Sequence, residues 1–113
     1  MKVSFEGAGE MQLSFFNDGA KAGQFVKMKD NGTVTACEAG DEFIGVCLHA
    51  DSKHADVRVK GYVECAFSGT TAPTVGFCAL SADADGKVKP DSSGAKYLVL
   101  NVDGTGKTVG FMM

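Results

Sequence analysis

The residues best suited to chemistry in this sequence are its cysteines and histidines. Thiolates and imidazoles bind zinc, and a cysteine beside a histidine can act as a nucleophile activated by a base. The spacing favours neither arrangement, because no Cys-x2-Cys or His-x3-His pair occurs and only Cys47 and His49 alternate closely on one predicted strand. We therefore expect structural side chains, with no metal and no cofactor. The six residues are Cys37, Cys47, Cys65, Cys78, His49 and His54.

A glycine-rich string, GTGKT at residues 104–108, resembles the tail of a phosphate-binding loop. In such a loop the backbone amides and the lysine hold the phosphates of a nucleotide, and a helix follows. Here Asn101 stands where the pattern requires its first glycine, and a strand-like run follows the string. We predict a hairpin turn instead of a nucleotide site.

Residues 81–86, SADADG, imitate the start of a calcium-binding loop. Such a loop begins with a carboxylate and closes with a bidentate acid. Ser81 occupies the first of these positions and Ser92 the last, so the key oxygens are missing. We predict a plain Asp-Gly turn at Asp85 and Gly86.

No motif typical of an enzyme is present, and we predict that the protein has no catalytic residues. The sequence contains no Gly-x-Ser-x-Gly nucleophile elbow and no carboxylate pair in a recognisable frame. Two alternatives stay open. One is a minor hydrolase that uses a cysteine and a histidine, and the other is a small-ligand or carbohydrate-binding module. The second requires a concave patch with aromatic residues, for which Tyr62 and Tyr97 are candidates.

Composition and charge exclude other functional classes. The 113 residues suffice for one domain, with 44% hydrophobic and 22% charged residues. A net charge of -3 with scattered Lys and Arg disfavours binding to nucleic acid. No run approaches the roughly 20 apolar residues that cross a membrane. The first residues lack the apolar core of a signal peptide, so we expect a cytosolic chain with free thiols.

Alternating apolar residues and glycine-rich turns predict an all-β fold. Fifteen glycines against two prolines suit tight turns and weaken helix interiors. Asn31 and Gly32 lie between two alternating runs, which is a strong hairpin signal. We predict a small β-barrel or β-sandwich built of short strands and tight Gly-rich turns. Residues 23–113 would form a single β domain, and residues 1–22 an N-terminal arm or the first strands.

Several strings of glycine and alternating valine resemble one known family. They are GQFV at 23–26, GTV at 32–34, AGDEFIGV at 39–46, VRVKGYV at 57–63, VG at 75–76, DGKVK at 85–89 and TVG at 108–110. Together they resemble the capsid cement, or head decoration, proteins of tailed bacteriophages and prophages. The resemblance covers about residues 20–113.

The resemblance implies a structural virion protein that binds the outer surface of an assembled phage capsid and stabilises it. The implied partner is the major capsid protein, and a homo-oligomer is expected, with a trimer favoured. The implied location is the capsid surface of the virion, and the host cytoplasm during assembly. No catalytic residue, cofactor, nucleic acid or membrane is carried over.

Residues 1–22 depart from the resemblance and contain apolar side chains that are candidates for contact with the capsid or with another subunit. As an arm, this segment could add a strand to a neighbouring sheet edge. As an ordinary first pair of strands, it would belong to the core. The candidate contact residues are Phe5, Leu13, Phe15 and Phe16.

Overall fold

Short β-strands build the part of the chain that the structure describes. The computed structural model describes residues 10–113, so the candidate contact residue Phe5 lies outside the described residues. A turn of 3-10 helix, Ala84–Gly86, lies between the seventh and eighth strands. The prediction of an all-β fold of short strands is confirmed. The strands are β1 (Met11–Asn17), β2 (Phe25–Asp30), β3 (Thr33–Ala36), β4 (Gly45–Ala50), β5 (His54–Lys60), β6 (Tyr62–Ala66), β7 (Gly76–Ala82), β8 (Val88–Pro90), β9 (Ala95–Asp103) and β10 (Thr108–Met112).

The first five strands form a closed barrel in the order β1-β3-β2-β4-β5. β1 closes it by pairing antiparallel with β5, where Leu13 lies opposite Val57, and parallel with β3, where Phe16 lies opposite Thr33. Part of the segment 1–22 is thus a strand of this barrel. A five-stranded barrel is narrow, so small side chains fill it. The buried residues of its interior are Ala20, Val26, Val34, Cys47, Ala55 and Val57.

The other five strands form a second sheet in the order β6-β10-β9-β7-β8. A parallel bridge between Phe67 and Val88 joins its outer strands, and the Ser68 amide donates to the Val88 carbonyl at 2.9 Å. The sheet covers a larger core than the barrel interior. Its buried residues are Phe25, Phe43, Val63, Phe67, Leu80, Ala82, Val88, Val99, Val109 and Phe111.

Neighbouring residues of β2 belong to different cores, which joins the barrel to the second sheet. Phe25 packs in the larger core and Val26 in the barrel interior, because successive strand residues point to opposite faces. Backbone hydrogen bonds strengthen the junction. The Gly40 amide donates to the Ala82 carbonyl at 2.8 Å, and the Ala82 amide donates to the Asp41 carbonyl at 2.9 Å.

A glycine also carries the chain from the barrel into the second sheet. Gly61 lies between β5 and β6 with a φ of 126°, a backbone conformation that residues other than glycine rarely adopt. The Met113 amide donates to the Gly61 carbonyl at 2.9 Å, so the end of β10 fixes this corner. The bend turns the run between Asp56 and Phe67 into two strands in two sheets.

Gly45 offers a direct test of the packing between β4 and β5. A Cβ at this position would lie 2.1 Å from the Arg58 carbonyl oxygen, a backbone atom of the paired strand. We expect Gly45→Ala to lower the free energy of unfolding by about 1–3 kcal/mol, as overpacking does. In the matched control Gly104→Ala, the new Cβ would have no atom within 4 Å, and the change should stay below about 0.5 kcal/mol. Urea denaturation measures both, and equal losses would contradict the packing described.

Candidate functional site

The four cysteines are free thiols in or beside the two cores. Cys47 lies in the barrel interior, whereas Cys37, Cys65 and Cys78 pack against the larger core. Burial raises the pKa of the Cys65 thiol to about 12 and that of Cys37 to about 11. A nucleophilic thiol needs a lowered pKa. These environments therefore suit packing and oppose nucleophilic chemistry.

The histidines do not supply a base to these thiols. The Cys47 thiol donates to the backbone carbonyl of His49 at 3.4 Å, not to its ring. The His54 ring instead packs beside Phe16, with the ring centroids 5.8 Å apart. Among residues 10–113, no group of three or more His, Cys, Asp or Glu side chains is placed to hold a metal ion.

The GTGKT string is a hairpin turn between β9 and β10, as predicted. The Asp103 carboxylate accepts hydrogen bonds from the backbone amides of Thr105 and Gly106, both at 3.0 Å. Lys107 donates its ammonium group to the Gly69 carbonyl at 3.4 Å. The amides that a phosphate would need already have a carboxylate as partner.

The polar side chains of the SADADG string also form hydrogen bonds within the protein. Ser81 donates its hydroxyl to the Asp91 carboxylate at 2.9 Å. Asp83 caps the 3-10 helix by accepting from the Ala84 amide at 2.8 Å, and it also accepts from the Ser68 hydroxyl. The hydrogen bond from Ser68 lowers the pKa of Asp83 most strongly. These oxygens stabilise a turn and not a cation site.

Apolar side chains of β1 that the barrel core leaves wholly or partly exposed form a first surface, which we call the β1 surface: Met11, Leu13, Phe15 and Phe16. Leu13 and Phe15 lie opposite Val57 and Ala55, so both face the barrel interior. Phe15 packs against the barrel core, whereas Leu13 remains 46% exposed. Phe16 lies on the opposite, outward side of β1 and is 61% exposed, so a partner that covers both Leu13 and Phe16 must wrap around this strand. The structure therefore exposes two of the predicted contact residues and half-buries the third.

A shallow pocket of about 230 Å³ lies on the β1 surface, lined by Ser14, Phe15, Phe16, Gly32 and His54. A neighbouring pocket of about 270 Å³ shares His54 and carries two carboxylates, Asp51 and Asp56.

The carboxylates give this end of the β1 surface an acidic border. Asp56 accepts a hydrogen bond from the Ser14 hydroxyl at 2.7 Å. Backbone amides of Lys53 and His54 donate to Asp51 and lower its pKa, which keeps the carboxylate ionised at neutral pH.

A second apolar surface lies on the outer face of the second sheet, and we call it the sheet surface: Phe77, Leu98 and Met112. Phe77 pairs with Leu98, and Leu98 pairs with Met112, so the three side chains form a row across β7, β9 and β10. Phe77 is 74% exposed, whereas Leu98 and Met112 are half-buried. A large apolar side chain as exposed as Phe77 contributes little to the fold and is available for contact with a partner.

Tyr62 continues this row on β6, opposite Met112. Its phenol group lies over Gly110, where a Cβ would come within 1.9 Å of the hydroxyl oxygen. The hydroxyl accepts from the Asn101 amide at 2.9 Å and donates to the Glu64 carboxylate at 3.2 Å. Gly110 thus allows an aromatic side chain to lie across β10.

The tyrosines do not form a concave aromatic site with the pockets described above. Tyr97 is half-buried in the larger core, where its ring stacks on the ring of Phe43. The ring centroids are 5.0 Å apart and the angle between the ring planes is 8°. Burial raises the pKa of Tyr97. Neither Tyr62 nor Tyr97 lines the two pockets beside the β1 surface.

Sequence reasoning named three residues of the β1 surface, Leu13, Phe15 and Phe16, and none of the sheet surface. The signal was present, because Val75 and Phe77 alternate with Cys78 and Leu80 so that both faces of β7 are apolar. Two apolar faces on a strand predict two covered faces. The structure buries Leu80 and leaves Phe77 exposed.

Comparison with known proteins gives no match. No family model, no curated protein and no solved structure matches the chain. Separately, none of the helical residues between 10 and 113 forms a helix long and apolar enough to cross a membrane.

Thiol labelling tests whether a cysteine is activated. With a pKa of about 12, the Cys65 thiolate fraction at pH 8 is on the order of 10⁻⁴, against roughly a quarter for an ordinary thiol. We expect a thiol reagent to label Cys65 at least about 100-fold more slowly in the native protein than in urea. Peptide mapping by mass spectrometry gives both rates. Fast native labelling of Cys65 would contradict the assignment and would favour the hydrolase alternative.

Proposed function

We propose that this chain is a head decoration, or cement, protein of a tailed bacteriophage or prophage. It binds the outer surface of the assembled capsid through the β1 surface and stabilises the shell. The observation that carries the proposal is the exposure of Leu13 and Phe16 on a closed barrel, together with the resemblance of residues 20–113 to that family. No cofactor takes part.

Asp51 and Asp56 form an acidic border at one end of the β1 surface. A surface of the major capsid protein with basic groups at this border would complement the carboxylates while it covers Leu13 and Phe16. We therefore propose the major capsid protein as the partner of the β1 surface.

Stabilisation of the shell follows from mass action. A protein that binds the assembled capsid and not its dissociated subunits shifts the equilibrium toward the assembled state. Symmetry repeats the contact at every equivalent site of the shell, so modest binding at each site adds up. The proposal includes a homo-oligomer, for which the resemblance favours a trimer. The protein would occur on the virion surface, and in the host cytoplasm during assembly.

Genome position gives a first check of this proposal. A gene that lies between a head-maturation protease and a major capsid protein supports a decoration role. A metabolic operon would argue against it.

Cosedimentation with expanded capsids of the corresponding phage or prophage tests the binding itself. We expect the wild-type chain to pellet with the capsids, and Leu13→Ser with Phe16→Ser to weaken binding by roughly tenfold or more, as loss of apolar anchors does. Gln12→Ser, on the same exposed strand, is the matched control and should bind within about twofold of wild type.

The outcome that rejects the proposal is equally specific. A folded wild-type chain that fails to bind these capsids, and that instead binds a glycan or hydrolyses an ester, is not a decoration protein. Equal binding by the double variant and the wild type would reject the β1 surface as the contact.

A further inference from the structure

The sheet surface leaves apolar side chains exposed outside both cores, and the charges beside it bear on what could cover it. The row of Phe77, Leu98 and Met112 carries no charge, and the strand register places Glu64 and Lys96 on the same face of the sheet, on either side of Met112. Both are exposed. A surface with an acidic residue on one side and a basic residue on the other is complemented by a partner whose basic residue faces the acidic one and whose acidic residue faces the basic one.

The strand register places these two charges symmetrically. Met112 pairs with Tyr62 on one side and with Leu98 on the other. Glu64 lies two residues after Tyr62, and Lys96 lies two residues before Leu98. Because β6 and β9 run in the same direction, Met112 lies at the midpoint between Glu64 and Lys96. With strands about 4.8 Å apart and alternate residues about 6.8 Å apart, each charge is roughly 8 Å from Met112.

We infer that the sheet surface binds the same surface of a second copy of this chain around a two-fold axis through Met112. A two-fold axis parallel to the sheet, above it at the level of the Met112 side chain and perpendicular to the line from Glu64 to Lys96, brings each glutamate opposite the lysine of the other copy. The same surface on both copies is the condition for such an isologous contact. The strands of the two sheets then cross at roughly 70°, which is close to orthogonal sheet packing.

The same axis covers the exposed apolar side chains. Phe77 of one copy falls near Gly110 of the other, where the phenol group of Tyr62 lies. Phe77, the most exposed large apolar residue of the sheet, is thereby buried against an aromatic partner.

This contact goes beyond the proposed function and does not depend on it. It is also distinct from a three-fold contact, because a surface that meets its own copy makes pairs. If the chain also forms trimers, the two-fold contact joins the trimers in pairs.

Charge exchange tests the contact. We expect the wild-type chain, at tens of micromolar, to have the mass of an even number of copies by sedimentation velocity. Lys96→Glu places like charges together twice in each interface and should weaken association by roughly tenfold or more, which halves the mass. Glu64→Lys combined with Lys96→Glu restores the opposite pairs and should restore the wild-type mass.

Lys53→Glu makes the same charge change on the barrel and should leave the mass unchanged. The two-fold contact would be overturned if the wild type were monomeric or if Lys96→Glu left the mass unchanged. It would also be overturned if the double variant with both charges exchanged failed to associate. Capsid cosedimentation of Lys96→Glu separates the two proposals, since it reports on the β1 surface alone.

Discussion

The alternation of side chains along β2 is the constraint on which the rest of the structure depends. Phe25 enters the larger core and Val26 enters the barrel, so a single strand supplies apolar side chains to both. Successive strand residues cannot point to the same face. A one-residue shift of β2 would therefore move Phe25 into a barrel interior filled by alanine, valine and cysteine side chains. The register of the barrel and the position of the second sheet are specified together.

The two cores occupy the interior, and binding is left to the outside. The thiols are buried and have raised pKa values, and the turn strings satisfy their own amides and hydroxyls. Apolar side chains that neither core covers lie on β1 and on the sheet surface, as the exposure of Phe16 and Phe77 shows. These exposed side chains are the observations on which both binding proposals rest.

The strands and turns were predictable from the sequence because their signals are local. The Asn31-Gly32 hairpin, the Asp103–Lys107 turn and the short alternating strands all depend on neighbouring residues. The closure of the barrel by β1 depends on a parallel pairing with β3, which no local pattern specifies. Similarly, Phe15 and Phe16 are identical in type, and only the pairing of β1 with β5 decides which is half-buried. The exposure of Phe77 was missed because exposure depends on what covers a face.

The proposed contact between the β1 surface and the capsid shell can be observed by electron cryomicroscopy of expanded heads mixed with the protein. We expect density for the chain on the outer shell, with Leu13 and Phe16 covered by the major capsid protein. Heads without added density, or bound chains that point β1 into solvent, would contradict it.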